Sequence, residues 1–175
     1  SVIVICTDHG QKWSYNHRLP LMFLFPGGEN AGRVTANTQN LDIAPTLLDY
    51  LGIESPGWME GRSLISGPVD PLRLIFVVDR RHGLTGVGRK PKEGDTGAIP
   101  PFYTLGFLGA FCCDKLFMLD LDKSTLAVSD VGGHTAPCDA GAIASPDQIG
   151  QLLIDHMIEC GYDTSTLRSP LVIQE

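Results

Sequence analysis

Four consecutive residues near the start of the chain, Thr7-Asp8-His9-Gly10, include an Asp and a His, two common metal ligands. They directly follow residues 2–6, an apolar and β-branched run that predicts a strand buried on both faces, as in a parallel α/β sheet. Ligand sites collect at the carboxyl ends of such strands. Asp8 and His9 can therefore both reach a metal held against a phosphate or sulfate group. The alternative is a polar turn in which Asp8 bonds to the backbone and His9 is exposed.

The elements expected around this turn are those of an α/β domain over residues 1–70. A second strand is predicted for residues 19–25, which end at Pro26-Gly27-Gly28. Apolar residues at helical spacing predict a helix through residues 43–51, capped by Asn40 or Asp42 and ended by Gly52. Helix capping and solubility are sufficient to explain an aspartate at position 42.

Residues 71–175 predict a second domain, a small antiparallel sheet followed by one helix. A strand is expected at residues 72–78, and a polar, glycine-rich loop follows to residue 101. Further strands are predicted at residues 102–106, 109–114, 115–121 and 124–130. Ser145-Pro146 begins a helix that ends at Gly161, and His156 lies on its apolar face, where a packing role is favoured.

The composition excludes some classes of function. A formal charge of −7 with scattered basic residues argues against nucleic acid as a partner. No apolar run approaches the roughly 18 residues that a membrane helix needs. The five cysteines are irregularly spaced, which favours reduced and mostly buried thiols and leaves one disulfide as the alternative.

Four motifs in order over residues 2–65 resemble the sulfatase-like family of the alkaline phosphatase superfamily. The Thr-Asp-His-Gly strand end is similar to that family's SDHG or SDNG, and residues 18–27 are similar to its RVPL-type strand ending in Pro-Gly. Residues 40–53, NLDIAPTLLDYLGI, are similar to its DIAPTLLDLAGI helix, and residues 60–64, EGRSL, to its DGRSL loop. The resemblance implies that residues 1–70 are the C-terminal edge of a three-layer α/β sheet domain and that residues 71–175 are its C-terminal subdomain.

The resemblance also implies the chemistry. Asp8 and His9 would bind a divalent metal ion (calcium, magnesium, manganese or zinc) together with an upstream acidic ligand and the nucleophile. His17 and Arg18 match positions where family members bind a substrate oxyanion or protonate the leaving group, and for His17 a solvent-facing loop histidine is the alternative. The substrate would be a sulfate or phosphate ester.

The resemblance implies a nucleophile that is a formylglycine made from Cys or Ser, or a Thr or Ser, and neither it nor the upstream ligands are identified in this sequence. None of the five cysteines lies in the Cys-x-Pro-x-Arg pattern of a formylglycine precursor. Since the chain begins inside a strand, we expect a fragment of a longer protein that is inactive alone and whose partner is the upstream part. Strand edges and apolar faces left open would allow the fragment to self-associate. Members of this family can be exported or anchored to a membrane. The sequence does not determine the compartment of this protein.

Two other functions are compatible with the sequence. The first is the C-terminal part of a membrane-anchored transferase that moves phosphoethanolamine or phosphoglycerol and has similar core motifs. The second is a non-catalytic binding subdomain, which an exposed row of aromatic residues on one face of the sheet would support. The aromatic residues available for such a row are Phe102, Tyr103, Phe107, Phe111 and Phe117.

Overall fold

A computed structural model describes the chain over residues 1–8, 10, 18–80, 105–131, 143–162, 164–165 and 167–174. Within these ranges the chain is mixed α/β, with seven β-strands and two α-helices. It divides into two compact units. The first comprises Ser1–Ile75, Cys112–Asp114 and Val131–Ala140; the second comprises Phe76–Phe111, Lys115–Asp130 and Gly141–Glu175. The boundary after residue 70 between two domains stays a prediction.

The first unit contains a two-stranded antiparallel ribbon of β1, Ile3–Cys6, and β2, Leu21–Leu24. Because side chains opposite each other in a ribbon share a face, the register puts four apolar residues on one side. They form the ribbon face, which consists of Ile3, Ile5, Met22 and Leu24, each between 46% and 54% exposed.

Both strands were expected, but the burial of the first strand was not predicted correctly. The residues of β1 are mostly exposed, and the strand pairs antiparallel with β2 within the described residues. The physical reason is that a continuous apolar run shows only that both faces favour burial. It does not specify which element covers them.

The helical motif forms as expected, in two steps. A single 3₁₀ turn, Asn40–Asp42, leads into α1, Ile43–Tyr50. The opposite side of the ribbon packs towards this helix, since Phe23 stacks on Phe25 and the ring of Phe25 lies 4.8 Å from that of Tyr50. The helix ends at Gly52, whose φ of +68° is one that glycine adopts without strain.

Asp42 is the most enclosed charged residue of this unit. Its side chain has no exposed surface, and its carboxylate accepts two hydrogen bonds from the Arg73 guanidinium, at 2.7 and 2.8 Å. The same carboxylate accepts backbone N–H groups from Gln39, at 2.9 Å, and Arg62, at 3.0 Å. Asp42 occupies the N-cap position of α1, but its side chain makes no cap hydrogen bond to that helix and instead belongs to the capping box of the 3₁₀ turn. A solubility role is wrong, because the carboxylate is buried and paired.

The loop that follows α1 is fixed against the same turn. Gly61 passes so close to the carbonyl of Leu41 that a side chain at this position would overlap with it. Further along, the backbone N–H of Leu64 donates to Thr46 Oγ1, and that hydroxyl donates to the Asp42 carbonyl. The Glu-Gly-Arg-Ser-Leu segment is therefore a packing element whose small residue is required by the close backbone approach.

The second unit is built around a five-stranded sheet in the order β3-β4-β5-β6-β7. β5 and β6 pair antiparallel, and β6 and β7 pair parallel. The bounds of the strands are β3, Leu74–Arg80; β4, Leu105–Cys112; β5, Lys115–Asp120; β6, Thr125–Asp130; and β7, Val172–Gln174.

This sheet differs from the predicted one in two ways. β4 is one continuous strand where two short strands were expected, and β7 was not predicted. β7 is held through Ser124, whose Oγ accepts the backbone N–H of Arg168 at 2.9 Å and whose carbonyl accepts that of Val172 at 3.2 Å. A three-residue strand is too short to show the alternation on which strand prediction depends.

The second helix, α2, is Pro146–Glu159, and its start is the one expected from the sequence. Ser145 and Gln148 form a reciprocal capping box at its N-terminus. The helix packs on β5 and β6 through buried apolar residues, and the ring of His156 stacks on Phe76 at 4.1 Å. The buried residues of its apolar face are Ile149, Leu153 and Met157.

We predict that Asp42→Asn lowers the free energy of unfolding by about 3–5 kcal/mol, because it leaves the charge of Arg73 buried without its partner. Urea unfolding followed by circular dichroism measures the change. Asp49→Asn is the matched control, since Asp49 is an exposed carboxylate of α1 and its loss should cost no more than about 0.5–1 kcal/mol. Equal stabilities of the two variants would contradict the prediction.

Candidate metal and oxyanion site

Asn40 makes a side-chain contact to the turn after β1. Asn40 Nδ2 donates to the carbonyl of Thr7 at 3.2 Å, while Asp8, the next residue, is exposed. Thr7 Oγ1 is shielded from solvent and has no hydrogen-bond partner in the described part of the chain. The turn therefore presents the Asp8 carboxylate to solvent from a fixed backbone.

A second polar cluster of the same unit lies around the turn between β4 and β5. The carbonyl of Cys113 accepts Arg18 Nη2 at 3.1 Å and Asn37 Nδ2 at 3.0 Å. Asn37 is buried. Arg18 is half-buried, and its Nε is shielded from solvent without a partner among the described residues.

The two clusters are connected through one short segment. Asn37 reaches the Cys113 carbonyl and Asn40 reaches the Thr7 carbonyl, and three residues span at most about 11 Å of chain. The segment itself is fixed at Asp42 by the buried pair with Arg73. Residues 37–42, here called the bridging segment, thus contact both the Thr7-Asp8 turn and the anchor of Arg18.

The charges around Arg18 act in opposite directions. Burial lowers the pKa of the Arg18 guanidinium from its ordinary value, and the nearby Asp114 carboxylate opposes that shift. A guanidinium keeps its proton throughout the physiological range. Arg18 is therefore a partly desolvated cation, whose attraction for an anion is stronger than that of an exposed arginine.

Of the four predicted site residues, the structure describes two. Asp8 lies exposed at the turn and Arg18 lies at the Cys113 carbonyl, whereas His9 and His17 fall outside the described residues. Within the described ranges, no three His, Cys, Asp or Glu side chains are grouped closely enough to hold a metal ion. An exposed carboxylate such as that of Asp8 is an oxygen ligand of the kind that divalent cations bind.

The comparison with known families covers the same region. Residues 8–68 match the family model described as N-sulphoglucosamine sulphohydrolase, C-terminal. Over these residues the chain is similar to a sulfatase-family domain. The match begins at Asp8 and includes Arg18, the bridging segment and the loop around Gly61, which is about a third of the chain. No curated protein matched the chain.

Sequence analysis did not identify the residues that hold this sulfatase-family segment together. Asn37 and Asn40 gave no signal beyond helix capping, and Arg73 was assigned to a strand without a role. The pairing of Asp42 with Arg73 spans 31 residues, and no local pattern in the sequence signals it. Arg62 contributes its backbone N–H to this network, and its side chain is exposed.

An exposed aromatic row on the sheet, which a binding subdomain would need, is not seen in the described part of the second unit. Phe117 is buried, and Phe107 and Phe111 are half-buried, so the described strands carry no exposed aromatic row. Phe102 and Tyr103 lie outside the described residues. No helix in the described ranges is long and apolar enough to cross a membrane.

The cysteines also differ from the expectation of reduced and mostly buried thiols. Cys113 is disulfide-bonded, which is the alternative that the sequence left open. Cys6 and Cys160 are free and exposed, and Cys112 is free and buried. Burial raises the pKa of the Cys112 thiol, and the negative charges of Asp70 and Asp114 raise it further.

We predict that the three free thiols differ in reactivity. Iodoacetamide should modify Cys6 and Cys160 first, and Cys112 more slowly by at least about tenfold, because burial limits both its access and its thiolate fraction. Time-resolved alkylation of the folded chain, read by peptide mass spectrometry, measures the three rates. Labelling in denaturant is the control. Similar rates in the folded protein would show that Cys112 is not enclosed as described.

Proposed function

We propose that this chain forms part of the active site of a metal-dependent hydrolase that acts on sulfate or phosphate esters. The observation that carries the proposal is the sulfatase-family match, which begins at Asp8 and spans the bridging segment. In this proposal Asp8 and His9 bind the metal, and Arg18 and His17 interact with the ester's oxyanion or its leaving group. The C-terminal edge of a three-layer α/β domain, as in alkaline phosphatases, is the fold that we propose for residues 1–70.

The contacts of Asp8 support its role as a ligand. Its side chain is exposed, and the backbone before it is held by Asn40, so the carboxylate can reach an ion without a loss of backbone order. A bound divalent cation would polarise the ester and lower the pKa of a nucleophile. Calcium, magnesium, manganese and zinc all remain candidates, because a carboxylate suits the first three and an imidazole suits zinc.

The surroundings of Arg18 support a role in anion binding. Its guanidinium is partly desolvated and held through Nη2, while Nε has no acceptor among the described residues and can donate to a tetrahedral oxyanion. Preorganised donors in a site of low polarity stabilise developing charge more strongly than flexible donors in water. An arginine fixed in this way can hold the ester and stabilise the charge that develops on its oxygens.

The nucleophile is proposed to come from outside this chain. No cysteine lies in a formylglycine pattern, and Cys6, the one nearest to Asp8 in sequence, is an exposed strand residue. We therefore propose that the 175-residue chain does not hydrolyse esters by itself. A longer protein that also contains the nucleophile and an upstream acidic ligand would be active.

We predict that Asp8→Asn in that longer protein lowers kcat/KM for 4-nitrophenyl sulfate or 4-nitrophenyl phosphate by about 10²–10³-fold, because an essential charge at the metal is lost. Metal content, measured by plasma mass spectrometry after dialysis, should fall in parallel. Asp49→Asn serves as the control, since it also removes one exposed carboxylate of the same unit. Unchanged metal content and activity in Asp8→Asn would refute the assignment.

The proposal extends to the partner of the ribbon face. Four half-exposed apolar side chains on one side of a two-stranded ribbon favour a covering element, since isolated ribbons are only marginally stable. We propose that the upstream part of the same protein covers this face as the continuation of the sheet domain. Without that cover, the same face would drive self-association of the chain.

We predict that the 175-residue chain self-associates through the ribbon face and that Met22→Glu weakens this association, because a charge would be buried at the contact. Sedimentation velocity over a concentration series measures it. Ile53→Glu is the control, since Ile53 is an equally exposed apolar residue of the same unit outside the ribbon. A chain that is monomeric at all concentrations, or equal effects of both variants, would argue against the ribbon face.

A further inference from the structure

The carbonyl oxygen of Cys113 accepts hydrogen bonds from two side chains. It accepts Arg18 Nη2 at 3.1 Å and Asn37 Nδ2 at 3.0 Å, and a carbonyl oxygen has two lone pairs. Both acceptor positions are therefore used by side chains that are 95 and 76 residues away in sequence. Because Asn37 is buried and occupies one position, the guanidinium is confined to the other.

The turn that carries this carbonyl is itself rigid. Cys113 is buried, disulfide-bonded and has a left-handed φ of +56°, so its peptide has little freedom to rotate. The next carbonyl, that of Asp114, accepts the backbone N–H of Val131 at 2.7 Å. The acceptor of Arg18 is thus a fixed point of the first unit.

Two nitrogens of the Arg18 guanidinium differ in their contacts. Nη2 is engaged, whereas Nε is shielded from solvent and has no acceptor in the described part of the chain. A donor removed from water without a partner is destabilising, and native structures contain few of them. Such a donor is best explained by an acceptor that arrives with a ligand.

We propose that Asn37 and the Cys113 carbonyl are positioning groups that hold Arg18 so that its Nε–H is the donor offered to the oxyanion. The inference rests on the proposed function, in which Arg18 meets the sulfate or phosphate group. It adds which nitrogen makes the contact and which groups orient it. Neither positioning group touches the substrate.

This arrangement requires an arginine. A guanidinium can be held through Nη2 while it donates from Nε, because its donors are fixed in one plane. A lysine ammonium has one nitrogen, so the bond to the Cys113 carbonyl and a contact to the anion would compete for the same centre. Charge alone is therefore insufficient at position 18.

The test uses the 175-residue chain labelled with ¹⁵N-arginine and titrated with sodium sulfate, against sodium chloride at equal ionic strength. We expect a saturable shift of the Arg18 Nε–H signal with sulfate, a similar one with inorganic phosphate, and none with chloride. The Nε–H signal of Arg33, an exposed arginine of the same unit, should not saturate. No sulfate-specific shift at Arg18 would overturn the proposal.

Variants separate positioning from a merely structural role. Asn37→Leu removes the amide at nearly constant volume. It should weaken sulfate binding about tenfold, as the loss of a group that orients a ligand weakens metal binding at metal sites. Arg18→Lys should abolish saturable binding although the charge is kept, and Arg33→Lys should leave it unchanged. If Asn37→Leu does not fold, Asn37→Ser gives the same comparison. Wild-type affinity in a folded Asn37 variant would overturn the positioning role.

A final pair of measurements distinguishes this inference from the proposed function. Asp8→Asn should leave the sulfate shift of Arg18 intact, because Asp8 is not part of the Arg18 anchor. In the longer active protein, Asn37→Leu should raise KM more than it lowers kcat. Loss of hydrolysis with an intact Arg18 shift would refute only the ester chemistry, whereas hydrolysis that is insensitive to Asn37 would refute only the positioning.

Discussion

The buried ion pair between Asp42 and Arg73 is the interaction on which the first unit depends. The carboxylate is fully enclosed and binds the guanidinium through both oxygens while it also accepts two backbone N–H groups. Its desolvation is tolerable only because every acceptor position is used. One side chain thus fixes the start of α1, the loop around Arg62 and the beginning of β3, three parts of the chain that are distant in sequence.

This constraint explains how the candidate site is ordered. The bridging segment is held at Asp42, and from it Asn40 reaches the Thr7-Asp8 turn and Asn37 reaches the anchor of Arg18. A carboxylate and a partly desolvated cation are thereby positioned by amides of a single segment. Amides suit this task because they bind carbonyls without adding charge, so the electrostatics of the site remain those of Asp8, Arg18 and Asp114.

Most of the fold was accessible from local patterns. The strands β1, β2, β5 and β6, the helix α1 and the capped start of α2 lie where apolar periodicity and turn residues predicted them. The incorrect predictions concern features that local sequence patterns do not encode. β7 is too short to show the alternation of apolar and polar residues that predicts a strand. The apolar run of β1 indicates that the strand favours burial, but it does not specify which element covers it. The disulfide at Cys113 depends on proximity, which spacing in the sequence does not report.

The sequence by itself determined the similarity of residues 8–68 to a sulfatase-family domain and the types of the candidate ligands, because those depend on a few residues in a fixed order. Only the tertiary structure decided which side chains hold them. Asn37, Asn40 and Arg73 act through contacts across 31 to 76 residues, with Thr7, Cys113 and Asp42 as their partners. Such contacts follow from how the backbone folds back on itself. A buried charge must find its counter-charge wherever the chain brings one, and no local pattern encodes that position.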